Sequence, residues 1–290
     1  MIIIRLIGGL GNQMFQYALG RRIAYARNIS LKLDTSGFKG YKLHDYSLKH
    51  LNIIEDIVSS EELDRLKNPK GISGFIKKRL ERFIPYYKHF IVKQKFFHFD
   101  PNILKARDNV YLIGHWASEK YFKEIESIIR KEFVVKTPPD KKNKRMIKKI
   151  KETNSVSLHV RRKDFISNKT TYAHHGVCPL DYYKEAVKLI SSKVKKPVFF
   201  VFSDDPKWAK DNIKPGLKTF HLDYNGRSKN YEDLRLMSHC KHNITANSTF
   251  SWWGAWLNKN KRKIVITPKQ WFNKSKRSLE DLLPQDWLRV

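Results

Sequence analysis

Acid is what this chain has little of. Its 290 residues carry 28 Asp and Glu against 58 Lys and Arg, a formal net charge of +30. Such an excess is open to an anionic partner, whether nucleic acid, a phosphorylated small molecule or an anionic membrane surface, and equally to solvated faces. Cysteine is nearly absent as well. Cys178 and Cys240 have neither paired zinc spacing nor a C-x-x-C arrangement, which argues against a disulfide scaffold and a zinc ribbon, and a reduced, cytoplasmic protein is expected. No apolar run approaches the roughly 20 residues that a membrane-spanning helix needs. The opening MIIIRLIGGL is interrupted by Arg5 and has no basic leader or small-residue cleavage site, so it reads as a strand rather than a signal peptide. What is present is globular: 41% hydrophobic and 13% aromatic residues are not the composition of a disordered chain. The length leaves room for two domains.

The positive charge comes in runs. Residues 136–151 hold eight basic residues against Asp140 alone, and 257–277 hold no acid at all. The stretch 70–95 is also basic and is interleaved with Phe75, Phe83, Tyr86 and Tyr87. Solvated faces account for such runs as readily as peripheral contact with an anionic membrane, on its inner, cytoplasmic side, does. Both readings stand.

Along the chain, MIIIRLIGGLGNQMFQYALGRR predicts a strand, a Gly-rich turn and a helix, with apolar residues at 14, 15, 18, 19 and 23. A second strand follows at 31–38, then an irregular, mostly helical stretch ending in a strand (VYLIGHW) and a helix (SEKYFKEIESIIRKEF). TPPDKKNK, around 137–144, combines Pro-Pro with dense charge and marks a boundary, giving domains 1–138 and 139–290. The second half alternates strand and helix with short connections, which predicts a parallel α/β sheet. Ligands of such sheets sit beyond the carboxyl ends of the strands. Those ends carry HVRRKD (159–164), SDD (203–205) and NSTF (247–250).

Each stretch has a plain reading beside a functional one. GGLGN lacks the third glycine of the dinucleotide fingerprint, so it is either a simple strand-to-helix turn or a close backbone approach to an anion. If the strand runs on through HVRRKD, Arg161 and Arg162 face opposite sides, and His159 shares the face of Arg161. A guanidinium fork matches a phosphate bidentately, while paired surface arginines are the plain alternative. Asp204 and Asp205 cap the next helix or accept the N–H groups of a guanine; being adjacent, they lack the D-x-D pattern of a metal–diphosphate site. Asn247, Ser248 and Thr249 offer caps and donors at a helix start. The aromatics behind them read as core, Phe250 excepted.

Taken in order, GGLGNQMFQYA (8–18), HVRRKDF (159–165), FVFSDD (200–205) and NSTFSWWGAWL (247–257) resemble the α-1,2-fucosyltransferases of glycosyltransferase family 11. The resemblance spans nearly the whole chain and is weakest between about 60 and 100; one departure is Lys163, where the family has glycine. It implies an α/β, GT-B-like architecture of two Rossmann-like domains facing a cleft, the first binding acceptor and the second binding GDP-L-fucose. Arg161 would then hold the diphosphate, supported by His159, with Asn12 reaching in from the first domain. Asp204 or Asp205 would recognise guanine, and Asn247, Ser248, Thr249 and Phe250 would line the nucleotide site. Asp164 is the candidate base, a leaving phosphate that takes the proton itself being the alternative. The implied reaction moves L-fucose from GDP-β-L-fucose to the 2-hydroxyl of a terminal galactoside in bacterial surface-glycan synthesis, with inversion and with neither cofactor nor metal. A GDP-sugar transferase of another linkage or acceptor is the alternative. A nucleic-acid-binding protein, suggested by the net charge and the interleaved aromatics, ranks below it because no helix-turn-helix, RRM or zinc-finger pattern is present, and no nucleic acid is expected as partner.

Overall fold

The structure, a computed structural model, describes residues 1–41, 43–67, 81–167, 169–273 and 278–290, and of residues 164, 167, 170, 171 and 174 the backbone only. The chain forms two units, Met1–Val134 with Ser278–Leu283, and Val135–Arg277 with Pro284–Val290. The sequence placed the division at 138/139 and did not anticipate that 278–283 belongs to the first unit.

The first unit is built on β1 (Ile2–Arg5), α1 (Leu10–Arg27), β2 (Leu31–Asp34), α2 (Ser60–Lys67), β3 (Ile91–Lys93), β4 (Val110–Ile113) and α3 (Glu126–Glu132). Its sheet has the order β2-β1-β4-β3 with all pairings parallel. Ile2, Ile3 and Ile4 are wholly buried, the unbroken apolar run expected of a strand covered on both faces. After β1 the chain turns at Gly8, whose φ of +75° and 2.7 Å clearance from Asn12 Nδ2 leave no place for a Cβ. α1 closes on Asn28 in the left-handed conformation, its N–H returning to Ala24 and Tyr25. The expected helix at 118–133 is mostly 3-10 turns, and only Glu126–Glu132 is α-helical.

The second unit comprises α4 (Lys141–Lys151), β5 (Asn154–Val160), α5 (Lys163–Ser167), α6 (Lys169–His175), α7 (Leu180–Lys193), β6 (Pro197–Ser203), α8 (Pro206–Asn212), β7 (Thr219–Leu222), α9 (Asn230–His239), β8 (His242–Ile244), α10 (Thr249–Leu257), β9 (Val265–Thr267) and β10 (Leu288–Arg289). The basic stretch after the two prolines is a helix. Asp140 caps it by accepting the Asn143 N–H at 2.9 Å, and the helix packs Ile150 into the core while its lysines stay in water. Strand order is β10-β9-β8-β5-β6-β7, all parallel. β6 shows why both faces are covered. Phe199 and Val201 pack with Tyr182, Ala186 and Ile190 of α7, while Val198, Phe200 and Phe202 pack with Ile150, Leu236 and Met237. Truncating a fully buried phenylalanine such as Phe200 costs about 3–5 kcal/mol. The order reverses between β5 and β8, and the crevice beyond their carboxyl ends is where a doubly wound sheet binds its ligand.

Candidate functional site

β5 ends at Val160, so Arg161 and Arg162 stand in a turn beyond the strand and strand alternation does not govern them. Asp204, at the end of the neighbouring β6, makes that turn. Its Oδ1 accepts the Arg162 N–H at 2.9 Å and its Oδ2 accepts the Lys163 N–H at 3.0 Å. These two orphan donors open α5, so a residue forty positions away does the work of a helix cap. The same Oδ2 lies 3.4 Å from Arg161 Nε, and the Arg161 guanidinium lies over the Phe165 ring at 5.6 Å. Arg162 turns the other way, its guanidinium 3.8 Å from the centre of the Trp208 ring. Asp205 takes the plain role: it caps α8 by accepting the Trp208 N–H at 3.3 Å, with Pro206 in the first turn.

His159 is buried at the end of β5, with its ring 5.7 Å from that of Phe250. Its Nδ1 has no hydrogen-bond partner among the described residues. Burial, with the Arg161 charge beside it, pushes its pKa down to about 3, so the imidazole is neutral at working pH. His159 and Phe250 together span the switch point, one from β5 and the other from the first turn of α10.

The NSTF segment divides its labour. Asn247 is buried, and its amide donates to the carbonyls of His175 at 2.9 Å, Gly176 at 3.4 Å and Trp271 at 3.2 Å, while Cys178 Sγ donates to its Oδ1 at 3.5 Å. It ties the 172–178 segment to the 271 loop. Burial pushes the Cys178 thiol up to about 11. Ser248 precedes α10 without a side-chain capping bond, contrary to expectation, and its carbonyl accepts the Trp252 N–H. Thr249 and Phe250 are half-buried in the first turn, and Trp252, Trp253 and Trp256 are core. The backbone places Asp164 in α5, but its side chain lies outside the described residues. Asn12 stands in the first unit, half-buried in the first turn of α1.

Three groups escaped the sequence. Gln13 and Gln16 are wholly buried amides that brace the GGLGN turn. Gln13 donates to the Gly8 and Asp45 carbonyls at 2.8 and 2.9 Å, and Gln16 joins the Ile7 N–H to the Gly114 carbonyl. Asp233, in the first turn of α9, accepts from Asn225 Nδ2 at 2.7 Å, and Asn225 accepts from Asn143 at 2.9 Å. Burial pushes its carboxyl up to about 7. An acid in the first turn of a helix looks like an ordinary dipole partner, which is why YEDL gave no signal.

Two α/β units with parallel sheets, the second presenting an arginine, a buried histidine and a helix start at its switch point, define the GT-B class of glycosyltransferase. The fold agrees with that of NodZ, the α-1,6-fucosyltransferase from Bradyrhizobium co-crystallized with GDP: TM-score 0.50, 12% identity, covering 87% of this chain and 90% of that one. The family model for glycosyl transferase family 11 matches residues 86–290, and the chain belongs to that family. It is 36% identical over 297 residues to the α-1,2-colitosyltransferase of Escherichia coli, covering 100% of this chain and 99% of the relative. It is 33% identical over 301 residues to the E. coli O-antigen biosynthesis glycosyltransferase WbnK, covering 95% and 97%.

Proposed function

We propose that this glycosyltransferase moves L-fucose from GDP-β-L-fucose to the 2-hydroxyl of a terminal galactoside, with inversion, in the assembly of a bacterial O-antigen. The observation that carries the reading is Arg161, fixed by Asp204 at the switch point of the second unit's sheet. Negative charge grows on the β-phosphate as the sugar–oxygen bond breaks. A guanidinium already in place stabilises that charge more in the transition state than in the ground state. Ser248 precedes α10, whose first residues are Thr249 and Phe250, the latter beside His159, and neutral His159 offers a hydrogen bond without adding charge. A β-linked donor giving an α-linked product needs a single displacement and no covalent intermediate. Asp164, or the departing phosphate, takes the acceptor proton.

Asp204 and Asp205 are engaged with backbone N–H groups, so we assign the guanine N–H donors to Asp233. Its carboxyl is desolvated and accepts from Asn225, in the loop that follows β7, where two donors from a base supply what burial withholds. The first unit, which carries Asn12, takes the acceptor.

A second donor has a specific observation behind it, the 36% identity to a colitosyltransferase. Colitose is the 3-deoxy counterpart of L-fucose, so the two readings differ by one hydroxyl. A site that hydrogen-bonds that hydroxyl rejects the deoxy sugar strongly, whereas one lined by apolar groups separates the two only weakly. The test is incubation with GDP-fucose and GDP-colitose in parallel, over a panel of β-galactosides, with product linkage read by NMR. An α-1,2-fucoside formed faster than the colitoside supports the reading. Transfer of colitose alone moves it to the second donor, and a product of another linkage overturns it.

A further inference from the structure

The amino edge of the first unit's sheet carries a surface that the transfer reaction does not use. An open groove of about 480 Å³ is lined by Arg27, Ile84, Lys88, Arg107, Asp108 and Asn109. It lies where the chain enters β1 and β4, since the Asn109 N–H bonds the Met1 carbonyl at 2.9 Å. The Gly8–Asn12 turn follows the opposite end of β1. Asp108 is paired with Arg27 at 2.9 Å, which leaves the positive charges of Lys88 and Arg107 in excess.

Beside the groove, apolar side chains stand in water. Phe83 is 74% exposed, Ile84 37% and Phe96 42%. The aromatics here are paired with cations: Arg82 over Phe83 at 5.0 Å, Lys95 over Tyr86 at 5.0 Å and Arg107 over Phe90 at 3.8 Å. A solvated face accounts for the cations and gives no reason for an exposed phenylalanine and isoleucine side by side. Aromatic rings and basic side chains at one level are what the boundary between acyl chains and anionic headgroups selects.

We propose that this patch is a membrane-docking surface: the groove seats the phosphate of an anionic phospholipid between Lys88 and Arg107, while Phe83 and Ile84 enter the headgroup region. Charge complementarity chooses the occupant. A surface with a net excess of cations and exposed rings fits a phospholipid leaflet of negative charge. Residues 70–80 of the basic run lie outside the described residues, and the assignment uses none of them.

Co-sedimentation with vesicles of phosphatidylcholine alone, and of phosphatidylcholine mixed with phosphatidylglycerol, tests it. The protein is expected to bind the anionic vesicles and to be released by salt, because exposed charges are screened over about 8 Å at physiological ionic strength. Lys88→Glu changes the charge at the patch by two units, and at about 1 kcal/mol each this weakens binding roughly 30-fold. The pair Phe83→Ser and Ile84→Ser weakens it by about tenfold through lost apolar insertion. Lys144→Glu, an exposed site on α4, makes the same charge change elsewhere and is expected to leave binding within about twofold, as a distant surface charge. All variants are expected to keep the wild-type melting temperature and the wild-type transfer rate to a soluble acceptor. No binding to anionic vesicles, equal binding to neutral and anionic vesicles, or an equal loss in Lys144→Glu overturns the proposal. So does inorganic phosphate that raises the melting temperature of the wild type but not of Lys88→Glu while vesicles fail to bind.

Discussion

Asp204 fixes Arg161. One carboxylate oxygen lies 3.4 Å from the guanidinium Nε and also accepts the Lys163 N–H, while the other accepts the Arg162 N–H. The acid therefore builds the turn and aims the cation that stands on it. Asp204→Ala removes two hydrogen bonds to a charged acceptor, with an expected loss of about 2–4 kcal/mol, read by urea unfolding. Transfer activity should fall with it. Asp205→Ala loses only a helix cap, about 1 kcal/mol, with little change in kcat/KM.

Arg161→Lys keeps a positive charge and loses the planar fork. Steady-state kinetics should show kcat/KM lowered by at least ~10-fold and up to ~10³-fold, with alanine worse, while thermal melting stays near wild type. Arg162, stacked on Trp208, should matter less to the rate and more to stability. Near-full activity of Arg161→Lys would remove Arg161 from the chemistry.

Burial pushes the Asp233 carboxyl up to about 7, and in the proposed role of Asp233 donor binding needs that carboxyl ionised. An acid of that pKa is about one-tenth ionised at pH 6 and nine-tenths at pH 8, so kcat/KM for the donor should rise roughly tenfold over that interval. In Asp233→Asn the rise should vanish, along with the preference for GDP-sugar over IDP-sugar, which lacks the base amino group. A variant with an unchanged pH profile would return base recognition to another residue.

His159 gives stability a pH dependence of known sign. Its pKa is 6.5 as an ordinary histidine and about 3 when folded, so the folded state holds the neutral ring. Its contribution is full above pH 6.5 and is lost as the pH falls from there towards 3. By pH 5 the wild type should have lost about 2 kcal/mol through this group. Urea unfolding at pH 7.5 and pH 5 should show this loss in the wild type and not in His159→Gln. Parallel behaviour of the two proteins would place the ring in contact with water.

Activity is expected to be independent of divalent metal, because the adjacent carboxylates Asp204 and Asp205 are both engaged with backbone N–H groups. Full turnover should survive EDTA. Loss of activity with EDTA and recovery with Mn²⁺ would require a metal that these residues do not hold.

The elements of the sheets could be read from the sequence because their pattern is local. IIIR, VSLHV and PVFFVFS are apolar runs of strand length, and the turns after them carry glycine or a cap. Motif order identified the family from four short segments for the same reason. Which residue performs which task was not local. Asp204 reads as a helix cap like Asp205, and only the pairing of β5 with β6 brings its carboxylate to the N–H groups of Arg162 and Lys163. Alternation placed the two arginines on opposite faces of a strand that had already ended. Asn247 looks like a ligand donor in NSTF, yet folding spends its amide on three carbonyls from two loops. Asp233 looks like surface charge until Asn225, itself held by Asn143, donates to it. A hydrophobic period of two or four residues is written in neighbouring positions, so the sequence by itself determined strands, helices and family. A hydrogen bond across 41 or 42 residues is set by sheet order and packing, and so the tertiary structure alone decided which carboxylate holds the arginine and which amide holds the loops.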